Sequence, residues 1–243
     1  MEWPKQFFDR TWLEYGFELV SRQQTQEEIT FIEKALNLRR NESVLDLCCG
    51  IGRHSIGLAK KGYRMTGIDF NRDYIKKAKS LSMNMRLRPT FIDADMRTIP
   101  FINKFEATIC MWSSFGYFNE ETDLDILRGV AKALRNGGRF LLEVANRDYI
   151  LRHFQPRDWV KAGKGYIMEK RVFHSDTSRL LTTWIFAGGG GITRKRSDVR
   201  LYSLYELEKM LPKAGFRVTA RYGDINRTRP SLYTPRLLLV SRK

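Results

Sequence analysis

Three carboxylates stand at or just past the ends of three apolar runs in this chain. Asp46 lies in Val44-Leu45-Asp46-Leu47, Asp69 ends Gly67-Ile68-Asp69, and Asp95 follows Phe91-Ile92-Asp93-Ala94. A fourth apolar run, Ala107–Trp112, leads into the aromatic stretch Phe115-Gly116-Tyr117-Phe118. The first run continues as Cys48-Cys49-Gly50-Ile51-Gly52-Arg53-His54, a tight Gly-x-Gly turn that opens a helix. Such a turn, at the carboxyl end of a first strand, is where doubly wound α/β sheets bind cofactors. Its details choose among them. A dinucleotide site places a third glycine three residues after the second, to admit a pyrophosphate; here that position is Ser55.

A strand-borne carboxylate beside a shortened glycine turn suits a ligand with a cationic amino-acid end and no pyrophosphate. S-adenosylmethionine is such a molecule, and Asp46 is placed to meet its amino group. Asp69, 23 residues further on, can accept both hydroxyl hydrogens of a ribose; the other reading is a cap for the helix that follows. Asp95 can accept adenine amino hydrogens while the Met96 amide donates to a ring nitrogen, or the pair can be a surface turn. A sulfonium is a cation that aromatic faces attract. Trp112, Phe115, Tyr117 and Phe118 are therefore candidates for the wall around a methyl group, with some of them expected in the core instead.

These segments must be positioned by a parallel sheet, because strands and helices alternate from Ser43 onward. Strands are expected at Val44–Cys48, Arg64–Asp69, Thr90–Asp93, Ala107–Trp112 and Arg139–Val144. Helices are expected at His54–Lys61, Asp73–Met85 (Tyr74, Ala78, Leu81 and Met85 in register) and Thr122–Arg135, the last stopped by Asn136-Gly137-Gly138. Thr25-Gln26-Glu27-Glu28 reads as a capping box opening an earlier helix, and Ser203-Leu204-Tyr205-Glu206 as another. Between Gly165 and Tyr202 the pattern changes to three strands with hairpin connections. Gly188–Gly191 reads as a turn, with no Lys-Ser/Thr after it to make a phosphate loop. Strands at Phe216–Tyr222 and Pro235–Ser241 close the chain. The expected fold is α/β: a doubly wound, Rossmann-like, seven-stranded, mostly parallel sheet with a final antiparallel hairpin. It is formed by residues 1–147 and 203–243, with residues 1–40 as a helical cover. Residues 148–202 are expected to insert a three-stranded antiparallel sheet as a substrate cover or dimer surface.

The resemblance is then to class I S-adenosylmethionine-dependent methyltransferases. It rests on Val44–His54, Ile68-Asp69-Phe70, Asp93-Ala94-Asp95-Met96-Arg97 and Ala107–Trp112. Within that family the Cys-Gly-x-Gly-Arg-His turn and Ser114-Phe115-Gly116-Tyr117-Phe118 are similar to small bacterial and archaeal enzymes, which share their antiparallel insertion with glycine and sugar-amine N-methyltransferases. Cys49 departs from the pattern, where Gly is commoner. The resemblance implies that Gly50 and Gly52, with Cys48 beside them, lie under the methionine portion. It implies Asp69, next to Phe70, on the ribose, and Asp95 and Met96 at adenine. Trp112, Tyr117 and His54 are the candidates nearest the chemistry. His54 can equally pack at its helix start. Arg200, Tyr202, Tyr222 and Arg229 are expected to border the cleft, where the arginines could clamp an anionic acceptor or simply lie on the surface.

Several classes are disfavoured. Base-amino methyltransferases need an Asn/Asp-Pro-Pro-Tyr/Phe run that is absent. Cytosine-C5 enzymes need a Pro-Cys nucleophile, and Cys110 has no such proline. No His, Cys, Asp or Glu spacing suggests a metal site. No run approaches 18 apolar residues, and the start lacks the layout of a secretory signal. Three cysteines, two adjacent, make no disulfide framework, so a reducing cytoplasm is expected. The chain of 243 residues carries a net charge of +16. Arg194–Lys243 alone holds thirteen basic and four acidic residues. That excess keeps an RNA methyltransferase open as the first alternative, with a non-catalytic S-adenosylmethionine-binding module as the second. The favoured reading is methyl transfer to N or O of a small-molecule acceptor by a monomer or homodimer.

Overall fold

The computed structural model describes residues 3–86, 88–189 and 191–243. Residues 1 and 2 of the N-terminal stretch and Gly190 of the glycine run lie outside that description.

The central sheet contains β1 (Ser43–Leu47), β2 (Arg64–Asp69), β3 (Thr90–Asp93), β4 (Phe105–Cys110), β5 (Leu134–Ala145), β10 (Arg217–Tyr222) and β11 (Arg236–Arg242). Their order is β10-β11-β5-β4-β1-β2-β3. β1 pairs in parallel with both β2 and β4, and β11 runs antiparallel to β5 and β10. The strand order therefore reverses between β1 and β4, which opens a crevice at their carboxyl ends.

Strand alternation divides the core. Leu45, Leu47 and Ile68 face one side, with α6 (Glu120–Ala133) and α8 (Leu204–Lys213) packed over that half of the sheet. Val44, Met65 and Ile109 face the other, against Ile29, Ile32 and Leu36 of α3 (Arg22–Leu36) and Leu58 of α4 (Arg53–Lys60). Each of these buried aliphatic side chains contributes about 2 kcal/mol of transfer free energy.

Helix ends follow local chemistry, with corrections to the sequence reading. α3 is capped by Ser21, whose hydroxyl accepts the Gln24 amide at 2.9 Å. Thr25 lies inside this helix, so the expected box at Thr25–Glu28 does not form, and Glu28 is fully buried. α5 (Arg72–Leu81) is capped by Asn71, and Leu81 is exposed rather than in register with the core. α6 ends at Ala133, not at the Asn136-Gly137-Gly138 stop, because β5 already begins at Leu134. The capping box at Ser203 and Glu206 is present.

The second sheet is antiparallel and has four strands, β6 (Arg157–Ala162), β7 (Gly165–His174), β8 (Arg179–Gly188) and β9 (Gly191–Arg200), in that order. The expected three-stranded sheet lacked β6. Only Ala162 of that strand is buried, so no apolar-polar alternation marks it. One face of this sheet carries Ile167, Trp184 and Phe186 against α1 (Trp3–Phe7) and α2 (Arg10–Tyr15). A short α7 (Arg147–Arg152) leads from the first sheet to the second. Among the described residues no helix is long and apolar enough to cross a membrane.

Candidate active site

The carboxyl ends of β1, β2, β3 and β4 surround one cavity containing about 960 Å³ of space not filled by protein, counting the solvent at its mouth. The turn after β1 shapes its floor. Cys48, Gly50 and Gly52 all have positive φ. At Gly52, the N-cap of α4 (φ 80°), a Cβ would lie 2.6 Å from the Phe91 ring, so only glycine fits.

Each strand-end carboxylate has defined partners. Asp46 is buried and accepts the Ser55 hydroxyl at 2.7 Å; burial pushes its carboxyl above the ordinary range. Asp69 accepts the amides of Gly50 and Asn71, both at 2.9 Å, so it ties the β1 turn to the β2 turn. Burial pushes Asp69 up to about 6. Asp95 is half-buried and grips the Arg97 guanidinium and amide. Burial opposes its ionisation, but Arg97 outweighs that and holds it below its usual value. The Met96 sulfur meets the Cys48 thiol at 3.5 Å.

The turn after β4 is strained. Trp112 and Ser113 both adopt left-handed backbone, with φ of 61° and 54°. The Trp112 amide is held by Glu143 Oε2 at 3.2 Å. Glu143 is buried at the end of β5, and its other oxygen meets Arg236 at 3.1 Å. Arg236 also reaches Glu28 Oε1 at 3.2 Å. Glu28 in turn pairs with Arg53, and its Oε2 lies 3.0 Å from His54 Nε2. Burial works against the Glu28 charge, yet His54 and Arg53 together hold the carboxyl well below the usual range. The Arg53 guanidinium sits 5.0 Å from the Trp112 ring centroid. Arg53 Nη2 and Trp112 Nε1 are buried donors without a partner among the described residues.

The N-terminal segment covers the cavity. Pro4, Lys5, Phe8, Trp12 and Phe17 line it from above. Phe8 packs near Tyr117 and Phe70, with ring centroids 5.7 and 6.4 Å away. Polar ties fix the cover in place. Trp3 Nε1 donates to the Tyr117 carbonyl at 3.2 Å, the Tyr74 hydroxyl to Asp9 O at 2.9 Å, and Asn71 Nδ2 to Phe8 O. Lys195 of β9 reaches Asp9 Oδ2 at 2.6 Å and Gln6 O at 2.8 Å.

The structure gathers Asp46, Cys48, Gly50, His54, Asp69, Phe70, Asp95, Met96, Trp112, Tyr117 and Phe118 around this cavity. Gly52 shapes the turn without lining it. Five expected cleft residues lie elsewhere. Phe115 and Tyr202 are core rings 5.6 Å apart, and the Tyr202 hydroxyl donates to Asp123 at 2.8 Å. Arg200 is paired with Glu206 and Glu120. Tyr222 packs on Phe31 at 5.6 Å, and Arg229 lies in the exposed loop before β11. The sequence reading expected residues 1–40 to form a cover but missed Glu28, Arg53 and the aromatic residues Phe8, Trp12 and Phe17 by which that cover lines the cavity. Glu28 had one signal: it shares a helix face with Ile32 and Leu36, four and eight residues on, where a carboxylate is out of place.

Comparison with known proteins agrees with this geometry. Residues 44–138 match a methyltransferase domain family. The chain is 26% identical over 207 residues to YqeM of Bacillus subtilis, a candidate methyltransferase, covering 82% of this chain and 83% of that one. It is 28% identical over 169 residues to rabbit glycine N-methyltransferase, covering 61% of this chain and 56% of that enzyme. In fold it is similar to the CcbJ methyltransferase of Streptomyces caelestis, with a TM-score of 0.81, 18% identity and coverage of 93% and 91%. The matched methyltransferase domain, the strand-end carboxylates and the glycine turn support an S-adenosylmethionine-dependent methyltransferase of the class I type, with S-adenosylmethionine as its cofactor.

Proposed function

We propose that this enzyme methylates a nitrogen or oxygen of a free small molecule inside the covered cavity. The observation that carries the reading is the cover. Phe8 and Trp12 roof the cavity, and the ties to Tyr74, Tyr117 and Lys195 hold them down. A free molecule fits a site covered in this way; a base within a polymer needs an open groove.

The cavity residues fit the methyl donor part by part. Buried Asp46 would meet its ammonium. The two unpartnered donors, Arg53 Nη2 and Trp112 Nε1, would take its carboxylate, which relieves the cost of leaving buried N–H groups unpaired. Asp69 would accept the ribose hydroxyls, while Asp95 and Met96 would meet the adenine. When bound, the donor supplies a methyl group already activated by its sulfonium, so the protein's work is alignment and exclusion of water. The Trp112, Tyr117 and Phe8 rings would wall the reacting centre. His54, tied to Glu28, orients the α4 turn and is placed to assist if an acceptor starts protonated.

The test is labelled S-adenosylmethionine with a panel of amino acids, amino sugars and hydroxylated metabolites, run beside a cell extract with and without nuclease treatment. Label is expected in a small molecule, with nuclease treatment making no difference. Label recovered in RNA and lost on nuclease treatment would overturn the reading.

A further inference from the structure

We infer that the outer face of the second sheet is a docking surface for single-stranded nucleic acid, separate from the methyl-transfer cavity. Strand alternation gives the two faces opposite characters. The inner face carries Ile167, Trp184 and Phe186 against the N-terminal helices. The register puts Trp159 opposite Met168, Met168 opposite Ile185, and Ile185 opposite Arg194, all on the outer face. There Trp159 is 66% exposed and Tyr166 45%, their ring centroids 5.6 Å apart.

Five cations share that face: Arg157, Lys161, Lys170, Arg194 and Arg196. All five are exposed, and none pairs with a carboxylate among the described residues. The strand acid on this face, Asp198, is engaged by Arg179 at 2.5 Å. Arg194 and Arg196 border a shallow depression with Thr183, edged by Trp3 and Gln6 of α1. Part of the basic excess near the C-terminal end of the sequence is thus aimed at one flat surface.

Exposed rings among unpaired cations suit a polymer of phosphates and bases: cations meet the backbone, and rings stack on bases without sequence preference. The arrangement fits other partners less well. A second copy docked face to face would set these cations against their own kind. A lipid surface favours an apolar centre with a basic rim, whereas Lys170 here lies between Met168 and Val172 along β7. Docking here needs no bond made or broken and does not depend on the identity of the methyl acceptor.

The experiment is fluorescence anisotropy of the whole protein with a labelled 20-nucleotide oligouridylate at 50 and 200 mM salt. Five phosphate contacts on a single strand predict a log–log salt slope near −3.5, so affinity should fall about 100-fold between those salts. Trp159→Ala should weaken binding about fivefold or more. Lys170→Glu combined with Arg196→Glu should weaken it further and flatten the slope. Thermal stabilisation of both variants by S-adenosylhomocysteine should match the parent protein and so report an intact fold. Absence of binding, or variants that bind as the parent does, would overturn the proposal. So would binding to phosphatidylserine vesicles without binding to the oligonucleotide, or a dimer in light scattering that Trp159→Ala dissociates.

Discussion

His54 Nε2 lies 3.0 Å from Oε2 of Glu28; both side chains are buried, and His54 lines the cavity. One follows the glycine turn on α4 and the other sits mid-way along α3, so the contact joins the N-terminal helix to the floor of the site. Arg53 and Arg236 complete the cluster, and Arg236 extends it through Glu143 to the Trp112 amide. Two carboxylates and two guanidiniums thereby fix the turns after β1 and β4, which frame one side of the cavity.

Glu28→Gln should disturb both stability and cofactor binding. The amide keeps a hydrogen bond to His54 but leaves Arg53 and Arg236 without their shared charge. Removing one partner of a buried ion pair costs about 3–5 kcal/mol. Denaturant unfolding should lose stability on that scale, and calorimetry should show S-adenosylhomocysteine binding about tenfold more weakly. Unchanged values for both would mean that the cluster does not position the site.

Asp69 makes binding and stability respond to pH in opposite directions. Burial pushes its carboxyl up to about 6, above the roughly 3.9 of an exposed aspartate. Between those values the native state holds a proton that the unfolded chain has lost. The contribution of Asp69 to stability is therefore fully present below about 4 and lost as pH rises through about 6. Accepting two ribose hydroxyls needs the ionised form, so protons compete with the cofactor. S-adenosylhomocysteine should bind about tenfold more weakly at pH 5 than above pH 7. Asp69→Asn should bind weakly throughout and lose this dependence; calorimetry from pH 5 to 8 distinguishes the two.

The strand ends were legible because their signals are local. An apolar run, a carboxylate and a glycine turn follow one another within a dozen residues, and the sheet they imply has few alternatives. What failed to show depends on distant partners. Arg200 looks like a free clamp until Glu120 and Glu206 fold against it. Phe115 and Phe118 are alike in sequence, yet one packs on Tyr202 in the core while the other receives Arg97 at 4.8 Å beside the cavity. Trp12 gains its place from Trp184 and Phe186, more than 170 residues away. Glu28 was hidden for the opposite reason: a charge in a helix ordinarily marks the solvated side.

Ser55 should carry the discrimination between cofactors. Its hydroxyl donates to Asp46 at 2.7 Å, so the residue standing where a dinucleotide site has glycine also orients the carboxylate. Ser55→Ala should cost about 1–2 kcal/mol of stability, because Asp46 loses a buried donor. It should also lower affinity for S-adenosylhomocysteine several-fold. In thermal shift experiments S-adenosylhomocysteine should raise the melting temperature by mass action and NAD should leave it unchanged. Stabilisation by NAD would contradict the role given to the glycine turn.

Lys195 should govern how fast the cofactor leaves. Its ammonium is nearly buried between Asp9 Oδ2 and Gln6 O, and so joins the N-terminal cover to β9. Burial opposes charge on Asp9, but Lys195 and the Thr11 amide hold its carboxyl below the usual value, so Asp9 is ionised at neutral pH. Lys195→Met keeps the length of the aliphatic stem and removes both polar ties. The aromatic contacts of Phe7 and Trp12 with Trp184 remain, so the cover should stay folded but open more often. A loss of about 1–2 kcal/mol from the closed form corresponds to an opening equilibrium about five- to thirtyfold larger. Stopped-flow tryptophan fluorescence should then show S-adenosylhomocysteine dissociating faster by a factor in that range. An unchanged off-rate would mean that ligand leaves by a route the cover does not block.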